Sequence, residues 1–216
     1  MFFHMHKPVD GYTDTMSRRS LRFFGWAVLF EVGLGVVAVL IGRLFGLRFD
    51  ECFAVDTTAI GWAVGATVPT LLFYVFLRSL PWTCLHRIRE QIRSIFLEEM
   101  NSLTVWHLAL LALAAGFGEE FLFRGLFQKG LCNMVGRHEP IIVVLISVLF
   151  GLCHCLSKTY VVLAFLISLY LGFLFLETNN LFVPMMVHAL YDFCVFLHLR
   201  YECSRLEERT SFADKP

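Results

Sequence analysis

Nine side chains able to carry charge interrupt the apolar runs of this sequence: Glu31, His107, Glu119, Glu120, Arg124, His154, His188, Asp192 and His198. Ionisable groups in such runs are costly, so each needs a reason. Several fall four apart, the interval that shares a helix face. Glu120 and Arg124 can meet in a buried, bidentate ion pair. Glu119 then points about 100° around the helix and stays free. A carboxyl removed from water holds a proton tightly, which suits a general base or proton carrier. In the His188 and Asp192 pair, the carboxylate can orient the imidazole, share an ion with it or, when protonated, donate to it. Phe150 places a ring beside His154 in the same way. The plainer alternatives are an ion-pair network that only fixes packing and histidines that only link helices. His107 and His198 lie near span ends, where a polar tip reaches water. Glu31 receives no assignment.

The elements that must position these groups follow from composition. Hydrophobic residues make up 57% of the 216, Phe alone contributes 23, and mean hydropathy is +0.67. A soluble domain is nearer half apolar, so the expectation is an all-α, polytopic transmembrane bundle. At about 20 residues per crossing, six spans emerge: 23–42, 58–77, 103–123, 140–157, 160–176 and 181–199. Between the second and third, Leu85, Ile88, Ile92, Ile95 and Phe96 form one stripe of an amphipathic helix over 84–100, expected at the membrane interface. The whole chain reads as a single membrane domain: an N-terminal segment 1–22, a bundle 23–199 with its core at about 103–199, and a tail 200–216. Net charge is zero, so nothing points to nucleic acid. Seven cysteines without a C-x-x-C pair argue against a disulfide framework. Cys153-His154-Cys155 cannot turn three neighbours toward one metal, and its thiols are expected to be buried.

Strict alternation of six spans leaves five of the 18 basic residues outside (Arg43, Arg48, Arg124, Lys129, Arg137) and the rest inside, so both termini are expected in the cytoplasm. Arg18 and Arg19 then act as a positive anchor rather than an export signal. Trp82 and Trp106 sit where interfacial anchors would. Straight crossings would leave Glu119 and His154 about 16 Å apart in depth. The spacing is repaired by a longer third span, about 103–134, with Gly116 and Gly118 allowing close helix approach. Pro184 frees a carbonyl at Asn180 and is expected to bend the last span toward the site.

Taken together, Glu119-Glu120-x-x-x-Arg124, Phe150-x-x-x-His154 and His188-x-x-x-Asp192 resemble the three ordered motifs of the CPBP intramembrane protease family, which includes type II CAAX prenyl endopeptidases and Abi or bacteriocin-immunity proteins. The resemblance runs from 119 to 192. It implies an intramembrane endopeptidase acting on a membrane-anchored or prenylated peptide in the lipid bilayer, in a bacterial inner membrane rather than the endoplasmic reticulum. By position, Glu119 and His154 would activate water, His188 and Asp192 would stabilise the oxyanion, and Glu120, Arg124 and Phe150 would give structural support. The last motif position is often Asn in this family. An ionised Asp192 would repel an oxyanion unless protonated or bound to a cation. The favoured expectation, which rests on the resemblance, is water activation with no cofactor, and the Asp192 departure keeps open the alternative of zinc on Glu119, His154, His188 and Asp192. Two other classes compete: a non-proteolytic immunity or scaffold protein, and a proton-coupled transporter using Glu31, Glu119 and His188, for which no inverted repeat is present.

Overall fold

A computed structural model describes residues 18–100, 102–136 and 139–213. The first 17 residues of the N-terminal segment, Arg137 and the last three residues of the tail lie outside them. Among the described residues the chain is helical, with seven helices and no strand. They are α1 (Arg18–Leu44), α2 (Thr57–Ser79), α3 (Thr83–Glu99), α4 (Val105–Val135), α5 (Glu139–Cys153), α6 (Lys158–Thr178) and α7 (Phe182–Ala213). The chain is an integral, multi-pass membrane protein: five helices, α1, α2, α4, α6 and the Phe182–Arg205 part of α7, are long and apolar enough to cross a bilayer. Large side chains such as Trp26, Phe30, Leu40, Leu72 and Phe76 project from the outer faces of α1 and α2. Lipid is the solvent such surfaces require.

Local chemistry sets the helix ends. Asp56 caps α2 by accepting from the Ala59 amide at 2.8 Å, and Ser157 caps α6 through the Tyr160 amide at 3.2 Å. Asn179, at φ 44°, closes α6 in the left-handed region. Pro184 does not bend α7. The helix begins only at Phe182, so the proline falls in the first turn, where its missing N–H has no partner to lose. Asn180 instead ties two loops together, donating to the Ala54 carbonyl at 2.8 Å and accepting from the Ala54 amide at 3.1 Å.

Polar contacts collect the same end of several helices. Arg19 pairs with Glu99, Arg78 with Glu202, and Arg200 donates to the Leu103 carbonyl. The start of α1, the ends of α2 and α3, the start of α4 and the late part of α7 therefore meet at one end of the bundle. At the other end, the turn Phe49–Cys52 receives the Leu181 amide on the Cys52 carbonyl at 2.7 Å. Each end carries an apolar plug: Phe96, Met100, Leu103, Leu108 and Leu199 at the first, and Leu47, Phe49, Leu126, Phe175 and Leu181 at the second.

Two features differ from the sequence expectation. The segment 140–157 is helical only over Glu139–Cys153 and rises about 22 Å, short of a full crossing. Within the α3 stripe, Leu85, Ile88 and Phe96 are buried against the bundle, while Ile95 is 44% exposed. An amphipathic pattern specifies that one face is covered but not by what. Cys153 and Cys155 are exposed rather than buried. They flank His154 as the helix ends, and with the imidazole turned inward both thiols point out.

Candidate active site

The α4 helix is the spine of the site. Its middle, Phe121–Gln128, winds as π-helix immediately after Glu119 and Glu120, a local widening common at functional sites. Gly116 and Gly118 let two neighbours touch its backbone. A Cβ at Gly116 would lie 2.7 Å from the Met185 carbonyl oxygen and 2.8 Å from the Ala189 nitrogen of α7. A Cβ at Gly118 would lie 2.0 Å from the Glu31 carbonyl oxygen of α1. Both close approaches fall just before the glutamates, Gly116 drawing in α7 with His188 and Gly118 drawing in α1.

Glu120 and Arg124 are fully buried, and Arg124 donates from Nη1 to Glu120 Oε1 at 2.8 Å. The pair is not bidentate. Nη2 turns to α6, donating to the Ser168 carbonyl at 2.7 Å and to Ser168 Oγ at 2.8 Å. Arg124, counted in the sequence among the basic residues outside, is buried in protein and is no loop charge. One turn on, Gln128 donates to the Gly172 carbonyl at 3.0 Å, so α4 and α6 are locked in register at two levels. Sequence reading missed Ser168 and Gln128. Both were signalled by spacing: Gln128 follows Arg124 by four, and Ser168 is a lone hydroxyl in an apolar run.

Glu120 Oε1 also receives His188 Nδ1 at 2.9 Å. A carboxylate can only accept, so Nδ1 carries the proton. His188 Nε2 is 3.5 Å from Asp192 Oδ2. His154 is arranged similarly. Its Nδ1 donates to the Phe150 carbonyl at 2.8 Å, and the ring stacks on Phe150 with centroids 4.3 Å apart. Phe150 in turn lies 5.3 Å from the Arg124 guanidinium carbon. Both imidazoles thus spend Nδ1 on a fixed acceptor and leave Nε2 for other work.

His154 Nε2 is 3.8 Å from Glu119 Oε1, and Glu119 Oε2 is buried with no hydrogen-bond partner. Nearly equal distances along α4 and α5 explain how they meet. Glu119 lies about 24 Å below the α4 end at Val135, and His154 about 22 Å below the α5 start at Glu139, at 1.5 Å per residue. Glu119, His154, His188 and Asp192 all line a cavity of about 310 Å³, which runs from this polar layer toward α3. Glu31 does not line it. Its Oε2 is buried without a partner beside the Gly118 contact. His107 meets Thr104 Oγ1 at 2.6 Å and His198 sits 3.6 Å from Glu202, both outside the cavity lining.

The donor set named for zinc comes as two separate pairs, Glu119 with His154 and His188 with Asp192. Among the described residues no three His, Cys, Asp or Glu side chains converge closely enough to hold an ion. The residues as arranged do not fit a resident zinc.

Fold and site define a class: a polytopic helical membrane protein with glutamates and histidines held in a polar layer between apolar plugs and lining an interior cavity. Residues 101–194, which carry Glu119, Glu120, Arg124, both histidines and Asp192, match the family described as type II CAAX prenyl endopeptidase Rce1-like. A curated relative, the uncharacterized protein YpbD of Bacillus subtilis (strain 168), is 32% identical over 105 residues, covering 47% of this chain and 50% of that protein. The chain thus spans about half the length of the curated relative it matches. No solved structure matches.

Proposed function

We propose that this chain is an intramembrane endopeptidase that hydrolyses a peptide bond in a membrane-anchored or lipidated substrate. The observation that carries the reading is the pairing of Glu119 with His154 at the cavity wall, while Glu120 and Arg124 are consumed by fixed contacts. In the proposed reaction, Glu119 and His154 Nε2 hold a water, and Glu119 takes one of its protons as the oxygen adds to the carbonyl carbon. The oxyanion accepts from Nε2–H of His188 in its imidazolium form, with Nδ1–H held by Glu120 and Asp192 beside Nε2. Glu119 then gives its proton to the amide nitrogen as the C–N bond breaks. No metal takes part in this scheme. The arginine-rich end of the bundle, bearing Arg18, Arg19, Arg78, Arg89 and Arg93, is assigned to the cytoplasm, which places both ends of the described chain there.

The test is cleavage of a membrane-anchored reporter peptide in proteoliposomes by wild type and Glu119→Gln. Turnover should fall at least about 100-fold in the variant, in line with loss of general-base catalysis. Equal turnover would overturn the assignment. A retained cellular phenotype in Glu119→Gln would favour an immunity or scaffold role instead.

A further inference from the structure

A phenol removed from water usually gives its O–H a partner. Tyr170 follows the rule, donating to the Ala66 carbonyl at 2.8 Å. Tyr160, in the first turn of α6, does not. Its side chain lines the cavity with Glu119, His154, His188 and Asp192, and among the described residues its hydroxyl has no hydrogen-bond partner.

The backbone around Tyr160 is fixed from two sides. Ser157 Oγ accepts from the Tyr160 amide at 3.2 Å and caps the helix. Gly151 lets α5 abut α6 at the same level, since a Cβ there would lie 2.8 Å from the Val161 carbonyl oxygen and 3.2 Å from Phe165 Cβ. The Tyr160 ring consequently stands 6.3 Å from the His154 ring, tilted by 50°. The phenol feels the charges of Asp192 and Glu119, one from each polar pair. It therefore faces the gap between Glu119 with His154 and His188 with Asp192, where the scissile carbonyl lies in the proposed reaction.

That gap is short of donors. Hydrogen-bond donors aimed at the developing oxyanion are what stabilise it in a water-poor site. Glu119 takes the water proton, an ionised Asp192 can only accept, and His188 supplies a single N–H. A tyrosine hydroxyl supplies a second donor without changing its own charge. We propose that Tyr160 is a further catalytic residue of this reaction, donating its hydroxyl to the oxyanion alongside His188 Nε2–H. This rests on the polar layer being the hydrolytic site. The phenol keeps its proton throughout, so Glu119 still carries the one proton that moves from water to the leaving nitrogen. Tyr191 lines the same cavity but packs edge-on against Tyr74 of α2, with ring centroids 6.3 Å apart, and serves as the control.

The experiment measures kcat and KM for the membrane-anchored reporter in proteoliposomes with wild type, Tyr160→Phe, Tyr191→Phe and Glu119→Gln. Phenylalanine keeps the ring and removes only the hydroxyl. Tyr160→Phe should lower kcat about 100-fold and hold KM within about threefold, the pattern of a contact made only in the transition state. Tyr191→Phe should keep kcat within about threefold of wild type. A Tyr160 that only packs would leave kcat intact, which overturns the proposal. A higher KM at constant kcat does so too, because the hydroxyl then serves the bound substrate. Equal losses in the two tyrosine variants also overturn it, since they would report the polarity of the cavity at large. If Tyr160→Phe melts lower than wild type in detergent, binding replaces turnover as the readout. A peptide phosphinate, whose anionic oxygen stands in for the oxyanion, and the matching peptide amide are titrated against both proteins. The phosphinate-to-amide preference should be about 10- to 100-fold greater in wild type, and an equal preference refutes the assignment. A wild type that cuts no reporter overturns the hydrolytic reading and this assignment with it. Cleavage lost in Glu119→Gln but kept in Tyr160→Phe overturns this assignment alone.

Discussion

Replacing Gly118 with alanine tests how α4 is held against α1. The added Cβ would lie 2.0 Å from the Glu31 carbonyl oxygen, 2.7 Å from its carbon and 3.3 Å from its Cα, against an ordinary contact of 3.4 Å or more. All three atoms are backbone, so no rotamer change relieves the overlap. Either α1 retreats by more than about 1 Å or α4 rotates, and rotation carries Glu119, the next residue, away from His154. Overpacking of this kind costs about 1–3 kcal/mol. For a chain of this length each kcal/mol moves the midpoint by about 2–4 °C, so a fall of about 2 to 12 °C is expected. Gly65→Ala in α2 is the control, since nothing lies within 4 Å of a Cβ there. The assay is thermal unfolding of both variants in detergent, followed by reporter cleavage in proteoliposomes. Gly118→Ala should melt lower than Gly65→Ala and lose turnover in parallel. Coincident melting of the two would refute the tight α1–α4 crossing and the explanation of Glu119 placement built on it.

Two further outcomes follow from the polar layer. Arg124→Gln should destabilise by about 3–5 kcal/mol, because Glu120 is left as a buried charge with only His188 for company; Ser168→Ala removes a single hydroxyl acceptor and should lose only about 1 kcal/mol. Denaturation in a graded detergent mixture checks the order, and equal losses would mean that Arg124 is held mainly by packing. Cleavage should survive dialysis against phenanthroline, since the imidazoles and carboxylates form two pairs rather than a converging set. Loss of activity that added zinc restores would refute that reading.

Contacts within one helix could be read from the sequence. Glu120 and Arg124, His188 and Asp192, and Phe150 and His154 are each four apart, and helical geometry alone makes such neighbours meet. The apolar runs likewise specified helices, because a backbone in lipid must satisfy its own hydrogen bonds. The need for a third span reaching about 134 was also legible, from depth arithmetic on Glu119. Less was legible where burial has two possible partners. The α3 stripe and the cysteines beside His154 look the same in sequence whether protein or lipid covers them.

What the sequence determined by itself was therefore the inventory: helices, their apolar faces and the residues that share a turn. Tertiary structure decided the assembly. His188 reaches Glu120 across 68 residues and Arg124 reaches Ser168 across 44, distances over which no periodicity carries information. His154 lies level with Glu119 because α5 and α4 place them at nearly equal distances from Glu139 and Val135, and Gly116 and Gly118 set which helices could come close enough to matter. Glu119 and Glu120 have adjacent positions and identical chemistry. Their spacing to Arg124 already separated them, and interhelical packing completed the difference by bringing His188 to Glu120 and leaving Glu119 at the cavity wall.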